Sequence, residues 1–398
     1  MKARHFTKLK RKQIKTMRVL SYYKLSHPRY SLLKSQEHSW KMFRGNTMRT
    51  GISSSSLPKK PSLQWLIELG PTIASPVYEN STLYSSTITG RIFALNIYQK
   101  QIKYHFNIGS PIVSSPLLHQ DMLIAATFDS WVKETTFLGK NFLFALRTKT
   151  GEQIWNFEID GDIFSSPCLA NDMIIVGSLN TSIYALDMKG NLRWTFRTQG
   201  EIWSSPSFNG VNIFVGSDDG FLYCLDLNGT MQWKTKLNGK IRSSSPCLSS
   251  DGLIFIGTHA GGMYCLEQYD GLIKWNKQIS KPVLASSAIL KDRVFFASSD
   301  KKIYCLSCIN GSKLWEFETG DRIWSSPALT ENDGVLFFGS LDSHIYGLDI
   351  STGSQLWKFP TMDIVDSSPC IASNMLFIGS RDGLLYAFGL QTSASYIQ

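Results

Sequence analysis

The chain has 398 residues, of which 43% are hydrophobic and 12% aromatic, enough apolar material for a large buried core. Its formal charge of +10 is concentrated in residues 1–40, which hold eleven Lys or Arg against the single acid Glu37; the rest of the chain is formally neutral. A basic field over the whole molecule is thereby excluded, and no run approaches the eighteen apolar residues of a membrane helix.

Residues 1–39 form the basic segment. It offers charge for nucleic-acid phosphates or an anionic membrane surface, with Phe6, Leu9, Ile14, Met17 and Leu20 as a loose apolar side. Its composition equally fits a solvated, disordered tail, which is the expectation adopted. It lacks the continuous apolar core of a secretory signal and has no lipobox-type cysteine. Whether Met1 is the true start is left open, so the compartment is not fixed. Residues 40–62 follow as a lead-in, "WKMFRGNTMRTG" and onward, and then "LQWLIEL" at 63–69 reads as a strand carrying Trp65.

From there one phrase returns along the chain: "IYALDMKGNLRW" at 183–194, "LYCLDLNGTMQW" at 222–233, "MYCLEQYDGLIKW" at 263–275, "IYCLSCINGSKLW" at 303–315 and "IYGLDISTGSQLW" at 345–357. Weaker copies are "IFALNIYQKQIKY" at 92–104 and "FLFALRTKTGEQIW" at 142–155. The leading aromatics, Phe93, Phe144, Tyr184, Tyr223, Tyr264, Tyr304, Tyr346 and Tyr386, are spaced by 51, 40, 39, 41, 40, 42 and 40 residues. A period near forty denotes an array of supersecondary units. Upstream of each aromatic stand a segment such as "EIWSSPSF" and an apolar run ending in Gly-Ser, as in "NIFVGS". These short β-branched and aromatic runs, bounded by Gly, Asn, Asp and Ser, predict four strands per unit and almost no helix.

Four-stranded units at this period predict an all-β fold, a β-propeller of antiparallel blades. Gly-His and Trp-Asp pairs of WD40 units are absent, and no 3.6-residue rhythm supports helical repeats. The last unit ends at 385–389 without a Trp strand, whereas Trp65 has a strand without a blade. The count therefore predicts eight blades, the final one closed by the N-terminal strand, with the propeller spanning 63–390 and a tail at 391–398. The recurrent outer-strand aromatics, Trp65, Tyr104, Trp155, Trp194, Trp233, Trp275, Trp315 and Trp357, are expected to lie flat on a neighbouring turn where Gly leaves room.

The eleven-residue phrases "GLDISTGSQLW" and "ALRTKTGEQIW" resemble the tryptophan-docking motif of the pyrroloquinoline-quinone (PQQ) repeat family; "ALDMKGNLRW" and "CLDLNGTMQW" are one residue shorter in the turn. The lead-in at 40–51 is also similar to the segment before the first blade in bacterial members. The resemblance implies an eight-bladed propeller and two kinds of function. One is quinoprotein dehydrogenation. The other is non-enzymatic protein binding, similar in kind to outer-membrane assembly factor B, whose bacterial relatives are often periplasmic or associated with the outer membrane.

The residues favour the second. The quinoprotein branch typically sets a disulfide of adjacent cysteines against the quinone, with acidic and amide calcium ligands and an Asp base, and this sequence has no Cys-Cys pair. The acids are sparse and sit mostly in turns, as Asp187, Asp226 and Asp349 do, so no catalytic, cofactor or metal residue is carried over. Nucleophile elbows, phosphate loops and metal spacings are missing too. The Ser-Ser pairs Ser165/Ser166, Ser204/Ser205, Ser325/Ser326 and Ser367/Ser368 recur without a nearby base and read as a structural ring. The seven cysteines, Cys168, Cys224, Cys247, Cys265, Cys305, Cys308 and Cys370, read as small core residues whose number favours a reducing compartment; the Cys305-x-x-Cys308 spacing reads as structural. Asn80, Asn180, Asn228 and Asn310 head glycosylation sequons that matter only in a secretory pathway.

The expected function is a non-catalytic scaffold that binds one or more proteins, as a monomeric propeller without cofactor. A quinoprotein relative and a carbohydrate- or peptide-binding channel are the alternatives. The interval from Phe93 to Phe144 is about ten residues longer than the others, with the excess at 127–141. Trp131 and Phe137 in that excess are the candidate partner-binding residues, against the alternative of aromatics folded back on their blade.

Overall fold

The computed structural model describes residues 39–129 and 141–390. Their strands assemble into eight antiparallel sheets of the predicted kind, one per repeat, without a helix among the described residues. Blades 1 to 7 span 77–107, 117–159, 168–197, 207–236, 247–278, 288–318 and 328–360. Blade 8 takes three strands from 370–389 and its outer strand from Ser62–Glu68, which pairs with Leu384–Gly389 in the register Trp65 to Ala387 and Leu66 to Tyr386. The propeller is therefore closed by its N-terminal strand.

Local chemistry explains each blade. The two middle strands are buried on both faces, as in Leu253–Gly257, so they read as continuous apolar runs. Outer strands alternate exposed and half-buried residues, as in Leu192–Arg197, because one face meets solvent. The outer hairpin closes on a glycine with positive φ; at Gly353 (φ 74°) a Cβ would stand 2.6 Å from Trp315 Cδ2, so both the conformation and the space require glycine.

The lead-in runs along the inner strands, and Ile52–Ser53 adds a fifth strand to blade 7, parallel to Ala328–Thr330. The physical reason is the inner edge of every blade, whose backbone N–H groups need acceptors. The lead-in supplies carbonyls in succession. Tyr78 N donates to Trp40 O (2.7 Å), Leu118 N to Lys41 O (2.7 Å), Phe208 N to Thr47 O (2.8 Å) and Leu248 N to Met48 O (2.8 Å). Ile289 N then donates to Thr50 O (3.2 Å) and Leu329 N to Gly51 O (2.9 Å). Blade 8 is reached by the Ser53 hydroxyl, which donates to Ile371 O at 2.8 Å. Blade 3 is reached by Arg49, whose Nη2 donates to Ser166 O and Pro167 O at 3.1 Å.

Deleting residues 1–69 removes both the closing strand and this inner lining. The truncated chain is expected to lose more than about 4 kcal/mol of unfolding free energy or to aggregate, measured by denaturant titration and size-exclusion chromatography. A monomer that unfolds at the full-length midpoint would contradict the closure.

Candidate functional site

The inner strands build the axis of the propeller one serine at a time. In seven of the eight repeats the second serine of the Ser-Ser-Pro segment, or its equivalent, accepts the backbone N–H of the matching serine one blade earlier. The chain of bonds runs Ser75, Ser115, Ser166, Ser205, Ser245, Ser286, Ser326, Ser368, each N to the next Oγ at 2.9–3.0 Å. Some of the first serines bond within their own blades: Ser165 Oγ accepts Gly177 N (3.2 Å) and Ser325 Oγ accepts Gly339 N (3.1 Å), whereas the Ser367 hydroxyl donates to Ala74 O (3.1 Å) next to blade 1. The pairs thus hold blades to one another and strands within blades, and no base approaches them among these contacts.

Three residues beyond six of the eight ring serines a backbone N–H donates to the lead-in, which plugs the channel. Two arginines of this plug, Arg44 and Arg49, are fully buried on the axis. Arg44 Nη2 donates to Ser287 O (2.8 Å) and Nη1 to Ser326 O (3.2 Å). Arg49 donates to Pro206 O (3.0 Å) and Phe43 O (2.6 Å) besides its bonds to blade 3. Burial lowers both guanidinium pKa values, that of Arg44 to about 10; a guanidinium keeps its charge in proteins. Among the described residues neither makes an ion pair with a carboxylate.

On the other side of the serine ring lies a cup of about 250 Å³, with Phe43 of the plug in its lining. Its wall comes from the residue two positions before each ring serine. Six of these are apolar, Ile73, Val113, Phe164, Trp203, Leu284 and Trp324; the other two are Ser243 and Asp366. Asp366 is held by Arg381, also in the lining, through Nη2 at 2.8 Å and Nε at 3.0 Å. Burial raises the Asp366 carboxyl pKa above its ordinary range despite the guanidinium. At the rim, Arg242 stacks 4.7 Å from the Trp203 ring centre, and the indole N–H donates to Glu201 at 2.9 Å. Arg242 is in turn held by Asp218. Arg322 lies over Trp324 at 5.2 Å.

The outer-strand aromatics sit elsewhere, between blades. Trp155, Trp194, Trp233, Trp275 and Trp315 each donate their indole N–H to a turn carbonyl of the next blade, at 2.8–3.1 Å. Tyr104 reaches Thr148 O by its hydroxyl. Trp357 instead packs edge-on against Phe388 at 4.9 Å, because blade 8 has no covalent outer hairpin to receive it. The indole N–H of Trp65 is buried without a partner, and the turn of blade 1 that follows, "NIYQK", has no glycine. Trp131 and Phe137 lie outside the described residues. The residues bordering that segment are at the rim: Asp129 N and Asn141 Nδ2 both donate to Asp162 Oδ1 at 2.9 Å, and Phe128 packs on Phe164 and Trp203.

All seven cysteines are buried and unpaired, and burial lifts Cys305 to about 12, far from a reactive thiolate. No group of three or more His, Cys, Asp or Glu is placed to hold a metal among the described residues. The cup's one carboxylate is engaged by Arg381. These residues do not fit a quinone with its calcium.

Sequence reasoning passed over the cup because it attended to what repeats. The signal was the position that does not: Phe164, Trp203, Trp324 and Asp366 occupy equivalent places before the serine pairs.

The family model described as the β-propeller of the β-alanine-activating enzyme matches residues 140–396. The chain belongs to this β-propeller family. No curated protein matches its sequence. Among solved structures, BamB from Moraxella catarrhalis is similar over 83% of this chain and 100% of its own, with a TM-score of 0.71 and 17% identity. A europium-containing methanol dehydrogenase covers 89% of this chain and 98% of its own at a TM-score of 0.76 and 14% identity. The quinohemoprotein alcohol dehydrogenase from Comamonas testosteroni covers 91% and 82%, with a TM-score of 0.75 and 13% identity. At these identities the likeness is one of fold, a PQQ-like propeller, and function rests on the site.

The raised pKa of Asp366 has a pH consequence. A carboxyl that binds its proton more tightly folded than unfolded favours the native state increasingly as pH falls through the carboxylate range. The stability difference between wild type and Asp366→Asn should therefore shift toward the wild type on going from neutral pH to about pH 4. Paired denaturant titrations check this; a difference that moves the other way would place the folded pKa below the ordinary range.

Proposed function

We propose that this propeller is a non-catalytic binding module that takes a protein partner at the open mouth of the cup. The observation that carries the reading is the lining position itself. The repeat keeps its serine, its apolar strands and most of its docking aromatics, yet at this one position eight blades present largely different side chains, three of them large aromatics. Structural demand explains what recurs, and a site on a repeated scaffold is written where the repeat departs from itself. Trp203 and Trp324, each with an arginine stacked on it, have the composition of interaction hot spots. Trp324 is 38% exposed, although it is a large apolar residue.

Trp131 and Phe137 belong to the same reading, since Asp129 and Asn141, which flank their segment in the sequence, both bond Asp162. The quinoprotein alternative is the weaker one, because the cup has neither adjacent cysteines nor a free carboxylate. A carbohydrate- or peptide-binding channel would use the same cup.

Affinity capture from the native organism with quantitative mass spectrometry tests the proposal. Trp203→Ala with Trp324→Ala should lower capture of the main partner at least tenfold while the melting temperature moves by no more than about 3 °C. Trp131→Ala with Phe137→Ala should act in the same direction. Undiminished capture by both double variants would overturn the reading, as would turnover of an alcohol or sugar with PQQ and calcium.

A further inference from the structure

The cup has polar chemistry at its base that its apolar wall conceals. Seven of the eight ring serines, all but Ser75, accept a backbone N–H at Oγ, which leaves the hydroxyl hydrogen for another partner. Among the described residues Ser115, Ser166, Ser205, Ser326 and Ser368 have no acceptor for that hydrogen, and all five line the cup. Each of them is 3–6% exposed, whereas Ser245 and Ser286, which do not line it, are fully buried. Nearly buried hydroxyls that converge on one volume without acceptors call for one.

The charge behind the ring has the matching sign. Arg44 bonds the carbonyl of Ser326 and Arg49 that of Ser166, so each guanidinium lies directly behind a ring serine. Their partners are carbonyl oxygens alone, and Asp366 is already neutralised by Arg381. The axis therefore carries two positive charges without an anion, in surroundings where such charges act at strength. Phe43 covers Arg49 at 5.4 Å and lines the cup, so the positive charge lies directly behind the cup's base.

We infer that the cup binds a carboxylate borne on an apolar group of about the size of one aromatic residue, the carboxylate on the serine ring and the apolar part against Phe164, Trp203 and Trp324. The chemistry is shared by a polypeptide's C-terminal residue and a free aromatic acid. The inference rests on the proposed binding of a protein partner at this mouth and names the feature the partner would insert. The volume of about 250 Å³ admits one such group and not an extended chain.

Isothermal titration of the full-length protein with N-acetylphenylalanine, its C-terminal amide and 3-phenylpropionate tests this. The acid should bind saturably with one site. The amide, equal in shape but uncharged, should bind at least about tenfold more weakly, equivalent to 1.4 kcal/mol, because it loses charge-assisted hydrogen bonds. Trp203→Ala should weaken the acid similarly, and raising salt should weaken the acid more than the amide. Tighter binding of N-acetylphenylalanine than of 3-phenylpropionate identifies a chain terminus as the source; the reverse order identifies a free acid. Equal affinity for acid and amide, or no saturable binding of either acid at about 10 mM, overturns the inference. If partner capture still depends on Trp203 and Trp324 in that case, the binding-module reading stands without it. If the acid binds but capture is unaffected by those substitutions, the protein-partner reading fails and the carboxylate site remains.

Discussion

The structure depends on the pairing of Ser62–Glu68 with Leu384–Gly389. Eight sheets placed around an axis leave two raw edges where the chain begins and ends, and a ring with a gap exposes both. Closing the gap with a strand from the opposite end of the chain ties blade 8 to both termini of the fold. The consequence is visible in the docking aromatics. In blades 3 to 7 an indole of the previous blade sits over the hairpin glycine and bonds a turn carbonyl. At the closure no such hairpin exists, so Trp357 turns to Phe388; the hairpin of blade 1 is covalent but has no glycine in its turn, and the indole N–H of Trp65 stays buried without a partner. Specificity of closure is obtained there from strand register and apolar packing in place of the repeated hydrogen bond.

The same solution places the residues before the closing strand inside the ring. Inner strands present N–H groups to the channel, and the lead-in answers them with carbonyls at a constant offset from the serine ring. Arginine suits the inverse problem. Inward-facing carbonyls of Ser166, Pro167, Pro206, Ser287 and Ser326 need donors, and a guanidinium offers five in a rigid fork. Lysine could not span the same set. Gly51 completes the arrangement, since a Cβ there would lie 2.0 Å from Arg44 Nη2. Solving the hydrogen-bond problem with arginines has an electrostatic side effect: the axis is positive next to a cup whose base is ringed with hydroxyls.

The repeat separates structural from functional positions. Ring serines, turn glycines and most of the docking aromatics recur because each blade meets the same neighbours in the same way. The side chain two residues before the ring serine lines the cup and takes no part in the repeated serine bonds, so the repeat does not dictate its identity. Its variation from Ile73 to Trp203 to Asp366 is what a binding surface on a symmetric frame requires, because a single ligand is not eightfold symmetric.

The sequence by itself determined the repeat, the number of blades and the manner of closure. These follow from local patterns: the forty-residue period, glycine at the hairpin, and one Trp strand too many at one end and too few at the other. Tertiary structure alone decided what the lead-in does and where the eight lining residues meet. Arg44 and Arg49 look like ordinary basic residues in "FRGNTMRTG", and nothing near them in the chain shows that all their acceptors but Phe43 O lie 117 to 282 residues away. Phe164, Trp203 and Trp324 are separated by about forty residues or multiples of it, and only closure of the ring turns that periodicity into proximity.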